Sequence, residues 1–391
     1  MNYQEALQND LNIRRTRLQA IMQRMNVEAC LLTTGVNVFY MTGLIYNGYY
    51  YLPSVGSPIH FVKRPGDVTF PDTIYIRKPE QIVEYLNERG ISLPRTLLIE
   101  SDVLPYTDVV RLMSVFTIEN IVSASYLMRR LRSEKTDFEI SQVRACARKH
   151  EEVYRLIPSV FKRGMTDIEL QIEIERLMRL HGSLGIFRSY GENMDIYMGS
   201  LLVGENAEAP SPYDYALGGA GTSPMLPLGA CGEKIKEGDA IMVDMAGNYS
   251  PWMTDMTRVF SVGKTSEAAY KAHQVSRDIQ EKIIAISKPG TACADIYNEA
   301  LAIVKANGLE PNFMGTKLQA KFVGHGVGLE INELPVLTPR SKEILVPNTV
   351  FALEPKFVIP GVGAVGIENT FLVNETGIEK ITIFEEDIIE L

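Results

Sequence analysis

The chain is poor in cysteine and carries no surplus of positive charge. Its four cysteines, Cys30, Cys146, Cys231 and Cys293, are scattered over 391 residues. They form no CxxC pair and no disulfide framework, which excludes a disulfide-stapled fold and suits a reducing cytoplasm. The net charge is −9 and no basic stripe is visible, which argues against a nucleic-acid partner. The opening stretch MNYQEALQNDLNIRRTRLQAIM lacks the apolar core of a signal peptide, and no apolar run is long enough to span a bilayer. A cytoplasmic protein with no membrane partner is therefore expected. With 46% apolar and 22% charged residues, the composition shows no bias towards disorder.

A length of 391 residues is too great for one core of typical size, so two domains are expected. The first part alternates helical and extended patterns. RRTRLQAIMQRMN has helical spacing, while ACLLTT, IHFVK and TLLIE look like short strands, which predicts a small α/β domain. A charged stretch near Leu131 to Lys135 then leads into a long amphipathic helix. We place the junction there, giving domains 1–132 and 133–391.

The second part carries a repeat. Lys162, Gly164, Glu173 and Gly182 match Lys288, Gly290, Glu299 and Gly308 at a constant offset of 126. Each copy reads as a turn, a capped helix and a terminal glycine; the first has a capping box, Thr166 with Glu169. Two ordinary helices with similar caps would look the same. The sharper reading is an internal duplication closing two halves around a shared site.

Two hairpins carry paired acids. In AIMVDMAGNYSPWMTDMTRVF, taking Tyr249 and Ser250 as the centre makes facing numbers sum to 499, so Asp244 faces Asp255. Facing Cβ atoms lie roughly 5 Å apart, where two carboxylates repel by about 3 kcal/mol at an effective dielectric near 20. A cation between them reverses that sign. In TVFALEPKFVIPGVGAVGIENTFLV, a centre at Gly361 makes the sum 722 and sets Glu354 against Glu368. A glutamate inside an apolar run such as VFALEP calls for a partner or a metal. Between the hairpins, His325 is flanked by Gly324 and Gly326, a pattern that lets the backbone approach closely and leaves the imidazole exposed. His60, His150, His181 and His273 have no acidic constellation and read as structural. Four carboxylates and one imidazole suit two hard or borderline divalent ions.

In this order and spacing, DMAGNYSPWMTDMTRVF, GHGVGLEINELP, ALEP and GIENT resemble the motifs of the pita-bread metallopeptidases of family M24, which include creatinase, aminopeptidase P, prolidase and methionine aminopeptidase. NVFYMTG at 37–43 resembles the N-terminal domain of the two-domain branch. The resemblance implies a creatinase-like α/β N-terminal domain and an α+β pita-bread catalytic domain with an internal pseudo-twofold repeat. It implies that Asp255 and Glu368 bridge two ions, that Asp244 completes one, and that His325 and Glu354 complete the other. A hydroxide held between the ions would be the nucleophile, and Glu354 would carry its proton. Oxygen-rich ligation favours manganese, with zinc, cobalt and iron open.

Three positions depart from the family. Leu228 stands where the peptidases usually carry a histidine, and Asn332 stands at a second histidine position. Both are substrate-binding positions by resemblance. Gly366 replaces an arginine common in prolidase-like members. The expected activity is hydrolysis of an amide bond in a small peptide, of the Xaa-Pro dipeptidase or aminopeptidase P type. The alternatives are a non-peptidase pita-bread enzyme, a C–N hydrolase or lyase acting on a small metabolite, and a non-catalytic binding protein. The aromatic run Tyr46 to Pro53 looks apolar enough to need cover, either by packing within its own domain or by a second copy, and with the resemblance this predicts a homodimer.

Overall fold

The computed structural model describes residues 2–118, 121–191 and 194–391. These form two compact units, residues 1–132 and 133–391.

The first unit contains α1 (Tyr3–Arg24), β1 (Ala29–Leu32), α2 (Gly35–Thr42), β2 (Asn47–Pro53), β3 (Ile59–Arg64) and β4 (Thr73–Tyr75). α3 (Glu80–Glu88), β5 (Leu97–Ile99), α4 (Tyr106–Phe116), β6 (Ile121–Ser123) and α5 (Ser125–Ser133), which runs to the boundary, follow. The sheet order is β4-β3-β2-β1-β5-β6. β1 is antiparallel to β2 and parallel to β5, so the sheet is mixed. α1 begins well before the periodic stretch that predicts it, because Asn2 and Glu5 form a reciprocal capping box. The NVFYMTG segment becomes α2. Its start is tied down by the buried Glu100, which accepts from the N–H groups of Thr33 and Thr34 at 2.7 and 2.8 Å and from Asn37 at 2.6 Å. Tyr46, Tyr50 and Tyr51 are buried within this unit. They need no covering partner, which corrects the reason for expecting a dimer.

The second unit opens with α6 (Asp137–Tyr154), α7 (Ile157–Val160), α8 (Asp167–Leu180), β7 (Gly199–Val203), β8 (Ala240–Gly247) and β9 (Thr254–Ser261). It continues with α9 (Glu267–Ile286), α10 (Cys293–Ala306), β10 (Gly324–Gly326), β11 (Glu333–Val336), β12 (Val350–Leu353) and β13 (Lys356–Ile359). β14 (Gly363–Gly366), β15 (Asn369–Val373), β16 (Ile378–Lys380) and β17 (Ile389–Glu390) complete it. α5 ends at Ser133, and α6 starts after Thr136, whose side chain and that of Glu139 form a capping box.

The repeat is present in the backbone. α8 and α10 are both 14 residues long, and both ends are offset by 126. Gly164 and Gly290, which precede them, both have φ near +90° (+90° and +92°), a conformation glycine adopts without cost. Each half then supplies three successive antiparallel strands, β7-β8-β9 in one and β10-β12-β15 in the other. α6 and α8 bury Val153, Ile174 and Met178 against Leu201, Val243 and Phe260. α9 and α10 bury Ile279 and Ile296 in the cluster that holds Phe351, Phe357 and Phe371.

The halves meet where β9 crosses the start of β15. Thr257 and Glu368 exchange backbone hydrogen bonds of 3.4 and 3.2 Å. The Thr370 hydroxyl donates to the Asp255 carbonyl at 2.9 Å and accepts from the Asp255 N–H at 2.8 Å. Arg258, fully buried, donates to the Glu368 carbonyl at 2.9 Å and to Asn369 at 2.8 Å. This seam fixes two acidic residues from different halves against each other.

Candidate metal centre

The register in the first hairpin differs from the expected one. Asp244 pairs with Thr257 and Asp255 with Ala246, so facing numbers sum to 501 rather than 499. The connection runs over residues 248–253 and is drawn inward by Trp252, which is 1% exposed and donates its indole N–H to Glu139 at 3.0 Å. A shift of two preserves the face of the strand, so Asp244 and Asp255 remain diagonal neighbours on one side. The second register is as read. Lys356 pairs with Gly366 and Leu353 with Asn369, both on the sum of 722, with Glu354 and Glu368 at the break between the two ladders.

His325 lies on β10, wedged between β11 and β12. A Cβ at Gly324 would lie 2.1 Å from the Ala352 carbonyl oxygen, and one at Gly326 2.1 Å from that of Leu334. Glycine is required there because three backbones are in contact. The imidazole is buried, not exposed as its flanking glycines suggest. Its Nδ1 lies 3.1 Å from the Gly326 carbonyl, which makes that nitrogen the donor and turns Nε2 towards Glu354 Oε1 at 3.2 Å and Asp255 Oδ2 at 3.9 Å.

The five residues thus converge, and a sixth stands among them. The Lys356 ammonium donates to Glu354 Oε2 at 2.7 Å, to Asp244 Oδ2 at 2.9 Å and to Glu368 Oε2 at 2.9 Å. The sequence reading passed over this lysine. Its signal was there: Lys356 is two residues past Glu354 and faces Gly366, two residues before Glu368, so alternation puts it on the acidic face.

The electrostatics follow from burial and crowding. Burial and the carboxylates of Glu368 and Asp244 raise Asp255 well above the usual carboxylate range. Burial and Glu354 raise Glu368 to about 8, against the opposing pull of Lys356. Burial also acts to raise Glu354, but Lys356 and His325, both bonded to it, hold it at about 2. His325 is raised despite its burial, because Glu354 accepts from it.

The donor set fits a divalent ion. Asp255, His325 and Glu368 each offer a ligand atom within 4.8 Å of the others. Glu368 Oε1 is buried without a hydrogen-bond partner, while its other oxygen accepts from Thr257 at 2.8 Å and from Lys356. An orphaned carboxylate oxygen aimed at such a cluster is what a cation would satisfy.

These groups line a tight space of about 30 Å³, room for a few small atoms, beneath Phe187, Ser189, Met194 and Ile196. Two larger cavities adjoin it. One of about 210 Å³ shares Ile196 and Gly199 with the cleft and is walled by Ile168, Ile172, Leu226 and Leu228. The other, about 570 Å³, shares Tyr215 and Ala216 and is edged by Asp214, Lys321 and Phe322. Leu228 therefore faces the apolar neighbour rather than the carboxylates. Asn332 lines the cleft, but its amide is engaged with one backbone unit. It accepts from the Tyr190 N–H at 2.7 Å and donates to the Tyr190 carbonyl at 2.9 Å. His150 bonds Thr254, His181 bonds the Leu177 carbonyl, and His273 bonds the Glu386 carbonyl, all serving the scaffold.

The model of the metallopeptidase family M24 matches residues 141–375, and that of the creatinase/prolidase N-terminal domain matches residues 14–133. The chain belongs to family M24. Among curated M24-like relatives, an Xaa-Pro dipeptidase of Pyrococcus horikoshii is 24% identical over 384 residues, covering 97% of this chain and 99% of its own. Among solved structures, an Xaa-Pro dipeptidase from Bacillus anthracis aligns with a TM-score of 0.80 at 22% identity, over 97% of this chain and 100% of that one. An X-Pro aminopeptidase from Thermotoga maritima gives 0.79 at 20% identity, over 96% and 99%. The fold is thus the creatinase-like N-terminal domain followed by the pita-bread domain of M24. Membership of this metallopeptidase family implies divalent metal ions and a peptide substrate.

Proposed function

We propose that the chain is a metal-dependent hydrolase of the Xaa-Pro peptidase type, acting on the amide bond of a small peptide. The observation that carries this is the convergence of Asp255, His325 and Glu368 within 4.8 Å, with Glu354 beside His325, in a narrow cleft. A divalent ion held by this set supplies Lewis acidity towards a carbonyl or a water. Manganese is the ion we assign first, because carboxylate oxygens dominate the donors. Glu354, ionised through its bonds to Lys356 and His325, is the candidate to carry the proton of the attacking water. Asp244 orients Lys356. Phe187, Ser189, Met194 and Ile196 line the narrow space over the carboxylates, and a dipeptide entering there would have to displace them. The apolar cavity at Leu228 would then take one side chain.

We place the enzyme in the cytoplasm on its free cysteines. Homodimerisation stands only on the family resemblance, and light scattering at micromolar concentration decides it.

A panel of Xaa-Pro dipeptides and tripeptides with added Mn²⁺ tests the activity. Turnover that depends on Mn²⁺ supports the reading. Because Leu228 carries no proton and the Asn332 amide is occupied by Tyr190, we expect turnover at least about 10²-fold below that of a histidine-bearing relative. No cleavage of any peptide, with cleavage of a small amide or amidine instead, would favour the non-peptidase alternative. The tied Asn332 and the apolar Leu228 cavity are the observations on that side.

A further inference from the structure

We propose that the Lys356 ammonium permanently occupies one of the two cation positions, so that the centre takes a single divalent ion, at Asp255, His325 and Glu368. This rests on reading the cluster as a metal centre and adds how many ions it holds. All three protons of Nζ are committed, to Asp244, Glu354 and Glu368, at 2.7 to 2.9 Å. The ammonium is therefore at the centre of a triangle of carboxylate oxygens, where a divalent ion would have to stand within about 2.2 Å of the same atoms. The two cannot share that space.

The carboxylates divide accordingly. Asp244, the ligand expected to complete one of two ions, gives its Oδ2 to the lysine. The atoms that do not engage the lysine are Glu368 Oε1, with no partner, and His325 Nε2, 3.2 Å from Glu354 Oε1 and 3.9 Å from Asp255 Oδ2. Charge agrees. Fully ionised around a bound ion, the four carboxylates carry four negative charges. The ammonium and one divalent ion supply three positive charges, whereas two divalent ions beside the ammonium would leave the buried set net positive. The lysine is held by the fold rather than by chance. It begins β13, paired with Gly366, and its side chain is only 3% exposed.

The test is equilibrium dialysis of the whole protein against Mn²⁺, with elemental analysis and calorimetric titration. Wild type should bind one ion per chain. Lys356→Ala, checked for an intact melting transition, should bind two. Asp244→Asn, which keeps the lysine, should still bind one ion with affinity within about threefold of wild type, a change of under 1 kcal/mol. That variant keeps the test decisive if Lys356→Ala does not fold. Two ions in wild type overturn the inference but leave the metal-dependent reading standing. No ion in wild type overturns both. A Lys356→Ala protein that folds and stays at one ion shows that the lysine is not what excludes the second, and an Asp244→Asn protein that loses its ion shows that Asp244 is a ligand. Either result overturns the inference.

Discussion

Lys356 and Gly366 face each other in register across the β13–β14 hairpin. The glycine stands where prolidase-like members often carry an arginine. Here φ at Gly366 is +127°, and a Cβ would lie 2.6 Å from the Pro355 carbonyl oxygen and 3.0 Å from the Lys356 Cα. The cationic side chain on this face comes from the opposite strand instead. Restoring the arginine should therefore fail. Gly366→Arg is expected to cost at least about 1–3 kcal/mol through backbone strain alone, read as a lower denaturant midpoint. A variant of unchanged stability and higher peptidase activity would contradict this.

Removing the central imidazole should be severe. His325→Ala takes away the nitrogen facing Asp255 and Glu354, and should lower any Mn²⁺-dependent turnover by at least about 10²-fold. Dialysis against a chelator should do the same to wild type, with recovery on adding Mn²⁺. Activity that survives exhaustive chelation would count against metal dependence.

Asn332 holds the segment that roofs the cleft. Asn332→Ala removes the two hydrogen bonds to the half-buried Tyr190 backbone, a loss of about 0.5–1.5 kcal/mol for each. Limited proteolysis should find segment 184–191 cut faster in the variant. Asn332→His should bring the same loss, so restoring this histidine alone should not raise activity. Equal proteolysis rates would show that the clamp is dispensable.

Lys135 and Glu333 form a buried ion pair at 2.8 Å, each 1% exposed. Glu333 also accepts from the Leu329 N–H at 3.0 Å, so the pair shapes the turn that follows His325. Lys135→Met strands a buried carboxylate and should destabilise the second unit by about 3–5 kcal/mol. Pairing it with Glu333→Gln should recover part of that loss.

Acid should weaken the fold through His150 and His273. Burial lowers them to about 3 and about 4. His273 accepts from the Gly366 N–H through Nδ1 at 3.2 Å, a bond that only the neutral ring can make. The unfolded chain binds a proton near pH 6.5 and the folded chain does not, so stability is full above that pH. It falls as pH drops from 6.5 to about 4, by on the order of 3 kcal/mol for His273. Melting temperatures from pH 7.5 to 4.5 should show the decline, and His273→Asn should flatten part of it.

Much of this was legible in the chain. The 126-residue offset foretold two helices of equal length, since caps and terminal glycines fix where a helix begins and ends. The sum of 722 held because a Pro-Gly-Val-Gly turn leaves the hairpin one compact way to close. The sum of 499 missed by two because Trp252 buries itself and lengthens the connection, a tertiary effect that turn residues do not encode. Lys356 was missed for a different reason. A lysine in an apolar run reads as a solvated residue, and only its parity with Glu354 revealed the acidic face. The burial of Tyr46–Tyr51 inside their own unit likewise depended on sheet partners that local sequence does not name.

The seam between the halves has a consequence for how the protein comes into being. Asp255-Met256-Thr257 and Glu368-Asn369-Thr370 clasp each other, threonine to acid in both directions. Neither half owns the complete proposed ligand set, for Asp255 comes from one and His325 and Glu368 from the other. On the ligand set proposed above, a nascent polypeptide still lacking residue 368 lacks one of the ligands, however much of it has folded. Loading of that proposed site is then expected to be a late event, after synthesis of almost the whole chain and closure of both halves.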